Sequence, residues 1–385
     1  RQSSNRGVKV QEGTQVALNG IIDQVLTLHG MNYSSSVNDT DNDYSMRNKG
    51  SAIYRVCDIM STKTDGSGRS RQNDIRNRVG CRSPDDTRHI YNAMISPKEL
   101  TLFKGSNTAI PGREENALIP NIDSVIRTIG YRGKTKASII ELKTEETFLY
   151  NSHCHQYFHG TLHVIGLQGP TNVYHTISDN YIPMISQIFM DAYTQSPYLK
   201  KPRMVVIHKV SVIAGGLKNR ESGSHFYLQS KLYSGGIRTW GEIAGTCFER
   251  IVWGRGPHAI FHLHLAKQRR IASDFARIHA SVLFDLQVPA MWREESSTRT
   301  EPQSGAGGVK GMKVVLYTRG ESGHGRSLAN EAVIIQTLQE AGVRAVKCCD
   351  YSAANSLTTQ LSLAYHADAV LGMHGAALAH AIFSP

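Results

Sequence analysis

The sequence has no apolar run of the ~18 residues that a membrane-spanning helix requires. It has only six cysteines, and their spacing is not that of a metal site. It also lacks a Walker A loop, a Gly-x-Ser-x-Gly elbow, a His-Glu-x-x-His pair and any internal repeat. These absences argue against P-loop nucleotidases, α/β-hydrolases, zinc metalloproteases and repeat proteins.

The charge balance is basic, with 43 Lys and Arg against 32 Asp and Glu and a formal net charge of +11. Such a charge raises the question of a polyanionic partner. However, no basic stretch carries the regularly spaced aromatic residues of a base-stacking platform. We therefore expect a basic surface without a nucleic-acid partner.

The length of 385 residues favours two domains, and a hydrophobic content of 40% is sufficient for their cores. Residues 1–85 are polar and are predicted to be largely irregular. A first α/β domain is predicted over residues 86–293, with strands at 137–142 and 203–207 and a helix over 172–193 that Pro183 kinks or splits. The clearest linker covers residues 294–311.

Residues 312–385 alternate regularly between strand-like and helix-like patterns. Strands are predicted at 313–317, 343–348 and 369–372, and helices at 327–341 and 353–366, with a further helix starting at Ala376. Gly342 is placed to end the first of these helices. Strands separated by helices of this length predict parallel βαβ units, so the fold class is α/β.

A glycine-rich turn, Gly320–Gly325, follows the strand at 313–317 and is flanked by Arg319 and Arg326. Small residues let backbone N–H groups approach a ligand, and the following helix adds the positive end of its dipole. The two arginines offer forked donors for phosphate oxygens. The alternative is an ordinary flexible loop.

A second small-residue turn follows the strand at 369–372 and contains Gly372, His374, Gly375 and Ala376. Because both turns follow a strand and precede a helix, they are expected to open on the same edge of a parallel sheet. Two anion-receptive loops at that edge predict a nucleotide-binding site that needs no metal ion. The alternative is a tight turn with a packed histidine.

His175 and Asp179 stand four residues apart within the helix predicted over 172–193. This spacing places them on one helix face, where the carboxylate would fix the histidine tautomer and raise its basicity. A surface pair or a satisfied core histidine is the alternative.

A tract of four histidines has the spacing of a helical metal site: His153, His155, His159 and His163. No carboxylate stands at matching spacing, so we predict no metal site there. The six cysteines permit disulfides in an oxidising compartment, and two N-glycosylation sequons begin at Asn32 and Asn38.

The order of these motifs resembles glycosyltransferase family 61, which includes plant xylosyltransferases and the O-linked GlcNAc transferases of EGF domains. The resemblance extends over residues 135–385 and rests on four blocks. They are the Asn-x-x-His-x-x-x-Asp segment 172–179, the Cys-Phe…Gly segment 247–254, the Arg…Arg-x-x-x-Asn-Glu segment 319–331, and the His-Gly-Ala segment within 360–385.

The resemblance implies a GT-B architecture of two Rossmann-like domains, the C-terminal one incomplete in this chain. It implies inverting transfer of a sugar of the xylose, arabinose or GlcNAc class from a UDP-sugar to a hydroxyl of a glycan or glycoprotein. The alternative is an inactive relative that binds a nucleotide or sugar. We expect residence in the Golgi or endoplasmic reticulum lumen, with a membrane anchor outside this chain.

The resemblance also assigns roles to residues. His175, Asp179 and His374 are the expected catalytic residues, and the identity of the base is open between His175 and His374. No metal ion is expected to be required. The donor would be bound by Arg319, Arg326, Asn330, Glu331, Gly372, His374, Gly375 and Ala376.

Overall fold

The computed structural model describes residues 10–31, 33, 52–55, 88–95, 99–104, 136–141, 153–165, 173–193, 196–207, 226–253, 266–289, 292, 311–318, 328, 330–348, 356–372 and 376–385. Several predicted features lie outside these residues. They are Asn32, Asn38, the turn from Arg319 to Arg326, His374, Gly375, most of the linker and the side chain of Ala376.

The strands are β1 (Ala52–Arg55), β2 (Arg88–Ile95), β3 (Glu99–Lys104), β4 (Lys136–Glu141), β5 (Gln156–Ile165), β6 (Arg203–Ile207), β7 (Ile237–Arg238), β8 (Thr246–Trp253), β9 (Lys313–Tyr317), β10 (Arg344–Cys348) and β11 (Ala369–Gly372). The α-helices are α1 (Glu12–Leu28), α2 (Ile182–Tyr193), α3 (Phe226–Ser230), α4 (Ala266–Phe284), α5 (Glu331–Glu340) and α6 (Leu357–Tyr365). A π-helix covers His175–Tyr181, and a 3-10 helix covers Ala376–Phe383. Within the described ranges, no helix has the length and apolar character needed to span a bilayer.

The larger sheet has the strand order β4-β3-β2-β8-β5-β6-β7, with β1 paired to β2. Strands β8, β5, β6 and β7 are mutually parallel, whereas β2 runs antiparallel to β1, β3 and β8. The α/β class is therefore confirmed, with a mixed sheet that is rich in parallel pairs. Every residue of the central strand β8 is buried, as expected for a strand covered on both faces.

The smaller sheet has the order β10-β9-β11, and both of its pairings are parallel. Its strands and helices lie where the sequence predicts them, within four residues at each end. Helix α5 ends before Gly342, whose φ of 81° lies in the left-handed region that glycine tolerates. Leu357, Leu361 and Ala364 are buried on the inner side of α6.

Helix α1 is a feature that the sequence analysis missed. Its buried residues include Leu18, Ile21, Ile22 and Val25, which have the i, i+3, i+4, i+7 spacing of an amphipathic helix. The polar composition of residues 1–85 as a whole hid this local pattern. The expectation of largely irregular structure there is wrong over Glu12–Leu28.

A single hydrophobic cluster joins helices from both sheets. It includes Ile22 of α1, Ile185 of α2, Phe275 of α4, Leu361 of α6 and Phe383 of the 3-10 helix. The hydroxyl of Ser273 in α4 also donates to the Ile382 carbonyl at 2.6 Å. The division of the chain near residue 312 remains a prediction, but the helices on the two sides of it share one core.

Three buried charged side chains connect α2 to the larger sheet. Arg250 of β8 donates through both terminal nitrogens to the two carboxylate oxygens of Asp191, each at 2.6 Å. Arg203 of β6 donates to the same carboxylate at 3.1 Å. Burial lowers the pKa of Arg203. Burial also acts to lower the pKa of Arg250, but the charge and hydrogen bonds of Asp191 outweigh it and the pKa is raised.

A disulfide joins Cys154, just before β5, to Cys247 in β8, with Cα atoms 5.6 Å apart. Cys348 at the end of β10 is also disulfide-bonded. Because Cys154 and Cys247 are 93 residues apart in sequence, their bond closes a long loop.

Candidate active site

The smaller sheet has a topological switch point at the carboxyl ends of β9 and β11. Helix α5, which follows β9, packs on the face that carries Val314, through Ile335 and Leu338. Helix α6 packs on the opposite face against Tyr317, and the 3-10 helix after β11 stacks His380 on the same ring at 5.3 Å. The chains leaving β9 and β11 therefore diverge to opposite faces, and ligands of open α/β sheets bind in the crevice between such connections.

Gly372 lies at this switch point, paired in register with Tyr317. A Cβ atom at position 372 would lie 2.7 Å from the Tyr317 carbonyl oxygen and 3.2 Å from Cδ2 of Leu378. Glycine is therefore required because the neighbouring strand and the start of the 3-10 helix pack closely here. Among the described contacts, this is the role of Gly372.

Thr318 is the first residue after β9, at the same switch point. It is 2% exposed, and its Oγ1 has no hydrogen-bond partner among the described residues. Strand alternation places its side chain on the same face as Val314 and Leu316, under helix α5. A buried hydroxyl without a partner needs an explanation, and a ligand in the crevice would supply one. The sequence analysis missed Thr318 because only its burial distinguishes it.

Asn330 and Glu331 lie at the start of α5, on the same side of the sheet. Asn330 is the N-cap residue and is exposed, and its side chain makes no capping hydrogen bond. Glu331 forms an ion pair with Lys347 of β10, with Oε2 and Nζ 2.7 Å apart. The structure thus brings both predicted residues to the α5 side of the crevice, and Lys347 already neutralises the carboxylate.

His175 and Asp179 form the predicted pair. Nδ1 of His175 lies 2.6 Å from Oδ2 of Asp179, and the two side chains are 35% and 14% exposed. The ring of Tyr174 meets the His175 ring edge-on, with centroids 5.6 Å apart. Because Nδ1 is engaged by the carboxylate, the neutral imidazole has its lone pair at Nε2. The pair is therefore arranged to accept a proton.

The local backbone differs from the α-helix that the sequence predicts. Residues His175–Tyr181 form a π-helix, and the N–H of Ile182 donates to the carbonyl of Ile177, five residues earlier. Pro183 follows directly and has no N–H to donate, and its ring would clash with a carbonyl four residues back in an α-helix. The break expected near Pro183 is thus a change from π to α geometry at Ile182. Such π segments occur frequently at functional sites.

Side-chain hydrogen bonds, from within the segment and from other elements, hold this π-helix. Gln229 of α3 donates to the Thr176 carbonyl at 2.6 Å, and Asn180 donates to the His175 carbonyl at 2.8 Å. The Tyr181 hydroxyl lies 2.6 Å from Nδ1 of His279 in α4. Burial lowers the pKa of His279 to about 3 and raises the pKa of Tyr181 well above its usual value, so both are neutral.

The structure brings the π-helix next to the 3-10 helix that begins at Ala376, with Cα atoms of the two elements within 8 Å. The segment that carries the predicted pair therefore contacts the segment that follows the predicted small-residue turn. Arg319, Arg326, His374 and Gly375 lie outside the described residues, so their assigned roles stay predictions.

A comparison with protein families identifies this region. The model of the family described as Glycosyltransferase 61 matches residues 173–385, which is more than half of the chain. The chain belongs to glycosyltransferase family 61. It is an enzyme that transfers a sugar from a donor to an acceptor. A search of curated proteins finds no match.

The matched region of this family 61 glycosyltransferase begins at Val173, two residues before the π-helix. It contains the His175–Asp179 pair, the helices α2 and α4 that support it, and the whole smaller sheet with its switch point. The two halves of the candidate site therefore both lie inside the glycosyltransferase segment.

The histidine tract of this glycosyltransferase is not helical. His159 and His163 lie on strand β5, where residues four apart share one face of the strand. Nδ1 of His159 contacts Oε1 of Glu249 at 3.1 Å, and buried His163 meets the ring of Tyr233 at 5.3 Å. In the part of the chain that the structure describes, no three His, Cys, Asp or Glu residues are grouped so as to hold a metal ion.

Proposed function

We propose that this glycosyltransferase transfers a sugar of the xylose, arabinose or GlcNAc class from a UDP-sugar to a hydroxyl of a glycan or glycoprotein, with inversion. The observation that carries this proposal is the contact between the π-helix of His175 and Asp179 and the 3-10 helix that starts at the switch point. This contact supports a proton acceptor near the crevice that is expected to hold the donor. In the proposed GT-B arrangement, the smaller sheet is the donor side.

On the donor side, the diphosphate would lie between the starts of α5 and the 3-10 helix. Backbone N–H groups and the positive ends of helix dipoles favour an anion there. Arg319 and Arg326 would bind the phosphate oxygens, and the segment His374–Ala376 the diphosphate or ribose. Thr318 would donate its buried hydroxyl. These groups stabilise the departing diphosphate electrostatically, so the proposed reaction needs no divalent ion.

On the acceptor side, the acceptor hydroxyl oxygen attacks the anomeric carbon of the sugar from the face opposite the diphosphate. The new C–O bond forms as the bond to the diphosphate oxygen breaks, and UDP leaves with the bonding electrons. Nε2 of His175 takes the proton of the acceptor hydroxyl, and Asp179 stabilises the imidazolium that results. His374 is the alternative base.

The cellular setting is also part of the proposal. The disulfide between Cys154 and Cys247 is of a kind that forms in oxidising compartments. This supports the proposed residence in the Golgi or endoplasmic reticulum lumen.

The test is transfer of labelled xylose, arabinose or GlcNAc from the UDP-sugar to glycan and glycoprotein acceptors. His175→Ala and Arg326→Ala are expected to lower kcat by about a hundredfold or more. His159→Ala is the matched control, because His159 is also paired with a carboxylate but lies outside the family match. Full activity of His175→Ala and of a His374→Ala variant would contradict the assigned base. UDP binding without transfer to any acceptor would favour an inactive binding relative.

A further inference from the structure

Gln229 is a buried side chain that the sequence motifs do not include. It lies on the short helix α3, is 1% exposed, and donates from Nε2 to the carbonyl of Thr176 at 2.6 Å. Thr176 is the second residue of the π-helix and directly follows His175. Gln229 therefore contacts the backbone of the residue next to the candidate base from a separate element of the fold.

The π-helix accepts hydrogen bonds from side chains. A π segment makes i→i+5 hydrogen bonds and is rare in proteins, so contacts from outside its own backbone help to hold it. Gln229 donates to the carbonyl of Thr176 from a separate helix, and Asn180 donates to the carbonyl of His175 from within the segment. The first two carbonyls of the π-helix thus each accept a side-chain hydrogen bond.

The oxygen of the Gln229 side-chain amide makes no comparable hydrogen bond within the described part of the chain. Its Oε1 is buried and has no hydrogen-bond partner among the described residues. A buried amide oxygen without a partner is unfavourable for stability, so this glutamine is not explained by its contribution to folding. Its donation to the π-helix is the contact that gives the residue a role.

Loss of the π turn would move the candidate base. If the segment reverted to an α-helix, the register before Ile182 would shift by one residue, and each residue corresponds to a rotation of roughly 100°. His175 would then point away from its present direction. We propose that Gln229 is a positioning residue, which keeps the π turn in place so that Nε2 of His175 faces the acceptor hydroxyl.

This inference rests on the proposed function, and kinetics of three variants test it. Gln229→Leu removes the donor and is expected to lower kcat by about tenfold to a hundredfold, since small misplacements of reacting groups have effects of this size. The KM for the UDP-sugar is expected to stay within about twofold, because the donor lies on the other side of the site. Gln15→Leu is the matched control, because buried Gln15 also donates to a backbone carbonyl, that of Lys200 at 3.2 Å, outside the site.

Gln229→Glu supplies a second readout. Only the protonated carboxyl can donate to the Thr176 carbonyl, and burial beside a carbonyl raises a carboxyl pKa. Activity of Gln229→Glu relative to wild type is therefore expected to rise as the pH falls, which a purely structural role would not produce. This profile decides the question if Gln229→Leu does not fold.

The outcomes separate the two proposals. Two results would overturn the positioning role, provided that His175→Ala remains inactive. One is a wild-type kcat in Gln229→Leu, and the other is an equal loss of kcat in Gln15→Leu. Full activity of His175→Ala would instead contradict the proposed base itself. A flat relative pH profile of Gln229→Glu would also overturn the positioning role.

Discussion

The buried pair of Tyr181 and His279 makes the stability of this fold depend on pH. His279 lies in α4, stacked on Tyr181 at 5.9 Å and close to Phe275 at 5.5 Å, and only 2% of its surface is exposed, too little to hydrate an imidazolium. Burial lowers its pKa from 6.5 to about 3. The unfolded chain therefore binds a proton at this histidine between about pH 6.5 and pH 3, and the folded chain does not.

This difference in proton binding sets the sign and the size of the pH effect on stability. Because the unfolded state binds more protons in that window, the free energy of unfolding falls as the pH falls. One pKa unit corresponds to about 1.4 kcal/mol, so lowering the pH from 7 to 5 is expected to cost about 2 kcal/mol through His279 alone. The loss continues down to about pH 3 and then stops.

Urea unfolding at pH 7 and pH 5, followed by circular dichroism, measures this loss. His279→Gln keeps a hydrogen-bonding side chain beside Tyr181 but cannot titrate, so its free energy of unfolding should fall about 2 kcal/mol less than that of the wild type over the same interval. The comparison cancels the other titrating groups. Equal pH dependence of the two proteins would refute the reasoning.

Three further variants test a close backbone contact, a buried ion pair and the disulfide. Gly372→Ala is expected to lower the free energy of unfolding by about 1–3 kcal/mol, because its Cβ would lie 2.7 Å from a backbone carbonyl oxygen of β9. Gly20→Ala is the control and should not destabilise the protein, because the space around its Cβ is open. Equal effects of the two substitutions would contradict the predicted clash. Asp191→Asn is expected to cost about 3–5 kcal/mol in urea unfolding, since it leaves two buried guanidinium groups without a counter-charge; a cost below about 1 kcal/mol would contradict this. Replacing Cys154 and Cys247 together by Ser is expected to lower the thermal midpoint through a loss of about 2–4 kcal/mol, and an unchanged midpoint would show that the disulfide does not stabilise the fold.

The parts of the fold that the sequence predicts well are those governed by local patterns. The strands Lys313–Tyr317 and Ala369–Gly372 coincide with the predicted bounds because short apolar runs are bounded there by glycine and polar residues. The pairing of His175 with Asp179 was predictable because four-residue spacing brings side chains together on a helix. The family match confirms the resemblance drawn from these motifs.

Other features depend on contacts between distant segments, which one sequence does not reveal. Nothing in the sequence around Gln229 or His279 indicates that each contacts the π-helix, about 50 and 100 residues away. The burial of Thr318 is likewise not indicated by the residues around it in the sequence. The strand position of His159 was missed because i+4 spacing also fits a strand, where even separations share one face.

The shared hydrophobic cluster has a practical consequence for anyone who divides this protein. A fragment that starts at Gly311 would carry the smaller sheet but would expose Leu361 and Phe383 to water, both of which are fully buried against α4 and its neighbours. Each such side chain contributes about 1.5–3 kcal/mol when buried. A soluble fragment of this kind would therefore need polar replacements on that surface, or co-expression with the segment that covers it.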